Sequence, residues 1–357
     1  MMKNLRARLA FVLLLASLTI SACSGGIGPK PTEKELIIEP PSESITEEAG
    51  TPIPTPTLRP PPTQTAEPVG PTEAPTPTNT LDPYNTLLFE GVQLRINEQF
   101  DAAIAKFTEA IQMDPTKPDG YIERGITYSN MGKLDEAITD FNFAINYDPQ
   151  NAQAYNSRGV AWAQKNQFSQ AVKDYTQALE LDPELNKAHT NRGIAYILQG
   201  NVDEGLQDFT LVVERTPDDA EAYFNRGQAY ITALNTVQDE SFIDLCIVDF
   251  TQALTLAPDN PDAYFNRGLC QSFKGNVVRS FEDYSRAIEL DATQARFFIY
   301  RALLYPEMGT LEQALSDAQK AVELADDPEL KNVAEQLLKD LPNKPAPTPG
   351  PTPTPLD

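Results

Sequence analysis

The sequence is poor in the residues that carry most enzyme chemistry. Its 357 residues include one histidine, His189, and three cysteines. A single histidine excludes a zinc site built from several imidazoles. It also argues against a histidine base paired with a nucleophile, because His189 occupies a place where other segments have tyrosine and its packing there explains it. The glycines are scattered and form no phosphate-binding loop. We therefore predict a protein that is not an enzyme, with no catalytic residue, no metal site and no cofactor.

Positive charge is also scarce. The chain has 28 Lys and Arg residues against 51 Asp and Glu residues, which gives a formal net charge of -23. A protein that binds nucleic acid has to neutralise phosphates with Lys and Arg, so this balance argues against a nucleic-acid partner. It argues equally against a polybasic membrane patch. Two interpretations of the negative charge remain open. It keeps the protein soluble, or it attracts a basic partner.

The start of the chain has the pattern of an export signal. Three basic residues, Lys3, Arg6 and Arg8, precede an apolar run from Leu9 to Ile20. That run is too short to span a membrane, which takes about 20 residues. A basic start, a short apolar run and small residues after it are typical of a secretory signal peptide.

The apolar run ends in the sequence Ile20-Ser21-Ala22-Cys23. This resembles the lipobox of bacterial lipoproteins, although that family prefers Leu where Ile20 stands. The resemblance implies cleavage before Cys23 and attachment of lipid to its sulfur. We therefore expect residues 1–22 to be a signal peptide, and the mature protein to be lipid-anchored to the bacterial membrane on its extracytoplasmic side. The alternative is an ordinary signal peptide with an incidental cysteine.

Proline divides the rest of the chain. Most of the 31 prolines fall in residues 23–83, which contain Cys23 and a Pro/Thr-rich segment, and in residues 342–357. Such segments bury too little apolar surface to offset the entropy lost on ordering. We predict that both are disordered, as a linker and a tail, and that residues 84–341 fold.

The folding part has an internal period of 34 residues. Pro115, Pro149, Pro183 and Pro217 recur at that spacing, and so do five glycines. The glycines are Gly91, Gly125, Gly159, Gly193 and Gly227. Each unit has two apolar segments of helical period separated by a turn. One helix pair cannot bury both of its faces, so the units are expected to stack.

The units read like Tyr121-Ile122-Glu123-Arg124-Gly125-Ile126-Thr127-Tyr128, then Ala137-Ile138-Thr139-Asp140-Phe141, then Asp148-Pro149. This pattern resembles the tetratricopeptide repeat, and the resemblance covers about seven copies. It implies an all-α fold, an α-solenoid of helix-turn-helix repeats. A C-terminal helix, begun by Asp327 and Pro328 and carrying one apolar stripe, is expected to cap the stack.

Some units depart from the pattern. The fifth has seven extra residues between Tyr230 and Phe250, so its first helix or its turn should be longer. In the last unit Pro306 falls within the first helix and should shorten or kink it. We interpret Cys246 and Cys270, which replace small residues, as two buried thiols. A disulfide between them, which export would permit, is the alternative.

A pair of opposite charges repeats with the units. Arg precedes the glycine position in units two to seven, as in Arg158, and Asp precedes the aromatic position of the second segment, as in Asp174. Unit one reverses both signs, with Glu90 and Lys106. We therefore predict ion pairs inside each unit, partly exposed and worth about 0–1 kcal/mol each. The alternative is a row of Arg side chains for an anionic ligand.

The resemblance also implies that the first helices line a concave groove. The apolar residues predicted to face this groove in units four to six are Ile194, Ile197, Leu198, Phe224, Ile231, Phe265, Leu269 and Phe273. Exposed apolar side chains favour a protein or peptide partner rather than a small-molecule substrate. The alternative is that neighbouring helices bury them.

The function that follows is a membrane-anchored, extracytoplasmic scaffold that binds a protein or peptide on the concave face. The alternative is a structural assembly factor for a cell-envelope complex. Neither interpretation identifies the partner.

Lipidation of Cys23 is the first testable prediction. Cells labelled with a fatty acid analogue should incorporate it into the wild-type protein, and Cys23→Ser should remove the label and release the protein from the membrane fraction, because the thiol is the attachment point. Equal labelling and equal membrane retention of the two proteins would contradict the prediction.

Overall fold

The computed structural model describes residues 82–308 and 310–341. Cys23, the predicted signal peptide, all but the last two residues of the predicted linker, and the tail 342–357 lie outside the described residues. The described residues form fifteen α-helices and no strand, which confirms the predicted all-α class. The helices are α1 Pro83–Ile96, α2 Phe100–Met113, α3 Pro118–Asn130, α4 Leu134–Tyr147, α5 Ala152–Gln164, α6 Phe168–Leu181, α7 Asn186–Leu198, α8 Val202–Arg215, α9 Ala220–Val237, α10 Phe242–Leu256, α11 Pro261–Phe273, α12 Val277–Leu290, α13 Ala295–Met308, α14 Leu311–Leu324 and α15 Pro328–Asp340.

Local sequence sets the helix ends. Proline stands in the first turn of α3, α11 and α15, where its missing N–H costs nothing. The side chains of Asn151 and Asn260 accept hydrogen bonds from backbone N–H groups in the first turns of α5 and α11. Inside a unit the turn needs one residue with positive φ, which is Gly132 in unit two. The helices therefore pair in sequence, α1 with α2 through α13 with α14, as seven units.

In units one to six an aromatic ring of the second helix lies against a glycine of the first helix, which has no side chain at the contact. A Cβ atom added to Gly125 would lie 2.7 Å from Cε1 of Phe141, and one added to Gly159 would lie 2.6 Å from Cε1 of Tyr175. Both rings are buried. In unit seven both positions are alanine, Ala302 and Ala318, and both are fully buried. A larger residue on one helix is thus matched by a smaller one on the other.

The predicted charge pairs form inside the units, so this prediction is confirmed. Nε and Nη2 of Arg158 donate to the two carboxylate oxygens of Asp174, each at 2.7 Å. In unit one Lys106 lies 2.7 Å from Glu90. The expected partial exposure is wrong for the aspartates, because the side chain of Asp174 is 6 % exposed. The guanidinium groups are engaged by their own units, which argues against a free Arg row for an anionic ligand.

The arginines also connect neighbouring units. Nη1 of Arg124 donates to Oγ1 of Thr108 at 3.0 Å, and Nη1 of Arg158 donates to Oδ1 of Asn142 at 2.7 Å. Thr108 and Asn142 belong to the second helix of the preceding unit. Units four and seven repeat this contact with longer bonds. One guanidinium therefore joins three helices, which the sequence did not predict.

The fifth unit differs from the others as predicted. Helix α9 has 18 residues and α10 has 15, against 13 or 14 for the other helices of the stack. Gln238 ends α9 in a left-handed conformation, with φ at 56°. The extra residues therefore lengthen the first helix and the turn after it.

Cys246 and Cys270 form a disulfide between α10 and α11, so the prediction of two free thiols is wrong. Their Cα atoms are 6.4 Å apart, within the usual range for a disulfide. The reason lies in the stacking of the units. The corresponding residues of units two and three, Ala137 and Ala161, pack together in one buried cluster. Cysteine at both of these neighbouring positions brings the two sulfur atoms together.

The structure tests two further predictions at the C-terminal end of the stack, one for Pro306 and one for Asp327. Helix α13 continues past Pro306 to Met308, so the expected shortening is wrong. Proline removes one backbone hydrogen bond there, but the helix ends two residues later and little of it depends on that bond. Oδ1 of Asp327 accepts from the backbone N–H of Glu329 and Leu330, which confirms the predicted cap of α15. Within the described ranges we find no helix long and apolar enough to cross a membrane.

The buried ion pair of unit three makes the second prediction. In a double-mutant cycle, Arg158→Ala and Asp174→Ala should show a coupling energy of about 1.5–3 kcal/mol in urea unfolding, because two charge-assisted hydrogen bonds are lost together. The matched control is Arg158→Ala with Asp140→Ala, whose carboxylate is bonded to Arg124 in unit two. Weak coupling of Arg158 to Asp174 together with strong coupling to Asp140 would contradict pairing inside the unit.

Candidate functional site

The first helices of the units form the inner face of the array. From α1 to α11, the first helices of neighbouring units contact one another, and they approach more closely than the second helices do. A stack whose helices are closer on one side curves toward that side. The concave face is therefore lined by α1, α3, α5, α7, α9 and α11.

Five of the eight predicted groove residues are buried, so their assignment to an exposed surface is wrong. They are Ile197, Ile231, Phe265, Leu269 and Phe273, with relative exposures between 0 % and 6 %. These side chains belong to the packing between helices, which was the alternative left open by the sequence.

The contacts of Phe265 and Ile197 show which neighbours bury these side chains. The ring of Phe265 lies 5.2 Å from that of Phe297 and 5.0 Å from that of Tyr300, measured between centroids, so it packs against unit seven. Ile197 fills the space left by Gly205, since a Cβ atom on that glycine would lie 2.6 Å from Cγ1 of Ile197. Helical period identifies the face on which a residue lies, but not whether the next unit covers it.

The other three predicted residues are half-buried on two adjacent first helices, α7 and α9. Ile194 packs at the edge of a cluster that contains Ile197 and Phe209. Phe224 meets the ring of Phe250 edge-on, with centroids 5.6 Å apart. Leu198 stands at the end of α7 and is half-buried. Of the eight predicted groove residues, Ile194, Leu198 and Phe224 are thus the three that keep some exposure.

Three asparagines on the same helices were missed. Asn191, Asn225 and Asn266 each stand two residues before the glycine of their unit, in the repeated tripeptide Asn-Arg-Gly of units four to six. Nδ2 of Asn191 donates to Oδ1 of Asn156 at 3.1 Å, which joins α7 to α5 across the inner face. The repeated tripeptide was the signal available in the sequence.

Asn225 is the asparagine best placed for a ligand. It is half-buried on α9, beside Phe224, and within the described part of the chain its side chain has no hydrogen-bond partner. Asn266, in contrast, is buried and donates to the carbonyl oxygen of Asp262. An amide has two donor hydrogens and one acceptor oxygen, so it can bond both the N–H and the C=O groups of an extended main chain. The helices α7 and α9 thus carry half-buried apolar side chains and an amide without a hydrogen-bond partner.

The described ranges contain no cluster of side chains suited to a metal ion, since no group of three or more His, Cys, Asp or Glu side chains there could hold one. Burial raises the pKa of the Tyr84 hydroxyl, but that oxygen accepts a hydrogen bond from the backbone N–H of Gly120 and has a structural role.

The architecture and this face define a class, the helical-repeat proteins that stack helix pairs into a solenoid. Family models described as tetratricopeptide repeat match residues 106–139, 152–185 and 190–240, and one described as TPR repeat matches residues 128–164. The chain is a tetratricopeptide repeat protein.

Solved structures agree on the fold. A tetratricopeptide repeat protein from Parabacteroides merdae is 20 % identical, with 73 % of this chain and 99 % of that chain covered and a TM-score of 0.55. PilW, a type IV pilus biogenesis factor, is 16 % identical over 58 % of this chain and 92 % of its own, with a TM-score of 0.51. Human IFIT1 is 15 % identical over 73 % of this chain and 64 % of its own, with a TM-score of 0.58. A comparison with the curated proteins gives no match.

The burial of Phe265 gives the third prediction. Phe265→Ala should lower the free energy of unfolding by about 3–5 kcal/mol, because the ring is fully buried against three other rings. The half-buried Leu198 supplies the control, since Leu198→Ala leaves a smaller cavity and should cost less. Urea unfolding measures both. Equal and small losses would mean that Phe265 lies on an open groove after all.

Proposed function

We propose that this protein is a membrane-anchored, extracytoplasmic scaffold that binds a protein or peptide on the concave face of its repeats. The observation that carries the binding role is that Ile194, Leu198 and Phe224 are half-buried on the adjacent helices α7 and α9, and that α9 also carries the unbonded amide of Asn225. Tetratricopeptide arrays generally mediate protein–protein interaction and assembly. A partner chain crossing these helices would bury the apolar side chains and satisfy the amide.

The form of the partner follows from the surface. The three apolar side chains are distributed over two adjacent helices rather than gathered in one enclosed cavity. A segment of polypeptide can contact all three and present its main chain to Asn225, whereas a small molecule would reach only part of the surface. The acidic composition of the protein, with a net charge of -23, favours a partner that carries basic residues.

Export is supported by two independent features. The first is the signal pattern that ends at Cys23. The second is the disulfide between Cys246 and Cys270, because disulfides form and persist in oxidising compartments and are rare in the cytosol. Anchoring through lipid on Cys23 would hold the repeats to the membrane by way of residues 24–83, and stable attachment requires more than one acyl chain.

A second candidate is a structural assembly factor for a cell-envelope complex. The observation that favours it is the likeness in fold to PilW, whose described role is type IV pilus biogenesis. In both candidates the repeats bind rather than catalyse, in keeping with the generally non-catalytic tetratricopeptide fold. The two candidates differ in what the repeats bind. A scaffold binds a few separate partners, whereas an assembly factor belongs to one large complex.

Affinity capture from envelope extracts tests the binding role and is the fourth prediction. Phe224→Ala and Asn225→Ala should each weaken capture of the main partner, by about tenfold or more for the aromatic ring, because anchor residues cost about 2 kcal/mol when truncated. Val248→Ala is the matched control, since Val248 is 63 % exposed on the second helix of unit five, away from the inner face.

The result is interpreted only for variants whose melting temperature stays near that of the wild type. Undiminished capture by a folded Phe224→Ala, Asn225→Ala double variant would refute binding at this surface. Recovery of a few stoichiometric partners supports the scaffold, and recovery of a multi-subunit envelope assembly supports the second candidate.

A further inference from the structure

Unit two carries a pair of exposed aromatic residues on its second helix. Phe143 is 47 % exposed, and Tyr147, the last residue of α4, is 41 % exposed. Their ring centroids lie 5.5 Å and 5.6 Å from the ring centroid of Tyr121, which stands in the first turn of α3. The three side chains therefore form one aromatic cluster at the edge of the array where first helices begin and second helices end.

The other units do not repeat this aromatic pair. The residues that correspond to Phe143 in those units are Glu109, Gln177, Leu211, Gln252, Arg286 and Lys320. The residues that correspond to Tyr147 are Met113, Leu181, Arg215, Leu256, Leu290 and Leu324. Two exposed rings at these positions are thus particular to unit two.

The fold of a unit does not require these two rings. In unit three Tyr155 stands in the place of Tyr121, and the two outer positions are Gln177 and Leu181. Tyr155 is half-buried there, with Cζ of Arg158 5.5 Å from its ring centroid. Unit three thus has the same helix pair, and the same contact of tyrosine with arginine, without the aromatic pair.

Several groups at this edge of the array favour a cation. Helix α4 ends at Tyr147 and α2 ends at Met113, and neither helix has a basic residue in its last turn. The C-terminal end of a helix carries a partial negative charge, which attracts cations. Glu109, exposed on α2, stands at the position of Phe143 in unit one, and Asp148 follows Tyr147 directly.

Two basic residues near the cluster are already engaged. Cζ of Arg124 lies 5.9 Å from the ring centroid of Tyr121, and its guanidinium group is bonded to both carboxylate oxygens of Asp140. Nζ of Lys117 lies 4.3 Å from the ring centroid of Tyr84, in unit one. A cation that approaches the cluster therefore meets exposed rings and negative charge, and the nearby arginine is neutralised by its own carboxylate.

We propose that the aromatic cluster binds a basic side chain of a partner polypeptide. The face of an aromatic ring attracts the head group of Arg or Lys, and the apolar stem of the same side chain can pack along a second ring. Phe143 and Tyr147 supply the two exposed rings, and the carboxylates and helix ends around them attract the head group. This surface lies on a second helix, so it is separate from the proposed site on α7 and α9.

Binding of a labelled peptide of alternating Arg and Gly to the full chain tests the proposal. Fluorescence anisotropy measures it at about 0.15 M salt, where exposed charges are screened beyond about 8 Å. The Phe143→Gln, Tyr147→Leu double variant places the residues of unit three in unit two and keeps the net charge, so any loss is due to the rings. It should bind the peptide about fivefold more weakly than the wild type. Gln177→Ala, at the position of Phe143 in unit three, is the control and should bind as the wild type does.

Three results would overturn the proposal. The first is equal binding of the Arg–Gly peptide by the wild type and by the folded double variant. The second is equally tight binding of a Leu–Gly peptide by the wild type, because the surface would then be apolar without preference for a cation. The third is a dimer of the wild type that the double variant cannot form, because a second copy would then cover the rings.

Hydroxyl-radical footprinting with mass spectrometry gives a second measurement, made on the wild type. The Arg–Gly peptide should lower the oxidation of Phe143 and Tyr147, because the bound side chain covers their rings. Oxidation of Phe89, which is 49 % exposed on α1, should stay the same. Unchanged oxidation of both rings at saturating peptide would contradict the proposal. If the double variant does not fold, this measurement decides alone.

Discussion

The contact between an aromatic ring on the second helix and a glycine on the first helix determines the spacing of the two helices in a unit. A Cβ atom on Gly159 or Gly227 would lie only 2.6 or 2.9 Å from the ring of the facing aromatic residue, so these helices approach as closely as the backbone allows. The arginine stands one residue before the glycine, and the aspartate one residue before the ring. When the ring packs against the glycine, the arginine and the aspartate therefore stand opposite each other. The buried ion pair thus follows from the packing.

Stacking of the units depends on the same geometry. The arginine held by its aspartate has a remaining donor, and in unit two this donor reaches Thr108 of the preceding unit. Small residues face each other across the next interface, and replacing both with Cys246 and Cys270 brings the sulfur atoms close enough to bond. The second helices pack against one side of the first helices, and the inner face of the first helices lies on the other side.

Much of the fold was predictable from the sequence, because the period of 34 residues reports a repeated local geometry. The helix pairs, the ion pairs inside units and the cap at Asp327 all follow from such local patterns. The exposure of Phe265 and the disulfide were mispredicted, because both depend on how one unit meets the next. Asn225 was missed for another reason, since its tripeptide is visible in the sequence but the half-burial of its amide is not. Lipidation of Cys23 stays a prediction, as that residue lies outside the described part of the chain.

The most direct test of this account measures Gly159→Ala in two backgrounds. In the wild type the new methyl group meets the ring of Tyr175, and the substitution should destabilise the protein by about 1–3 kcal/mol despite the better helix propensity of alanine. With Tyr175→Ala the ring is gone, as in unit seven, and the same substitution should be neutral or stabilising. Urea unfolding of the four proteins measures the difference. An equal effect of Gly159→Ala in both backgrounds would show that the ring does not determine the spacing of the helices.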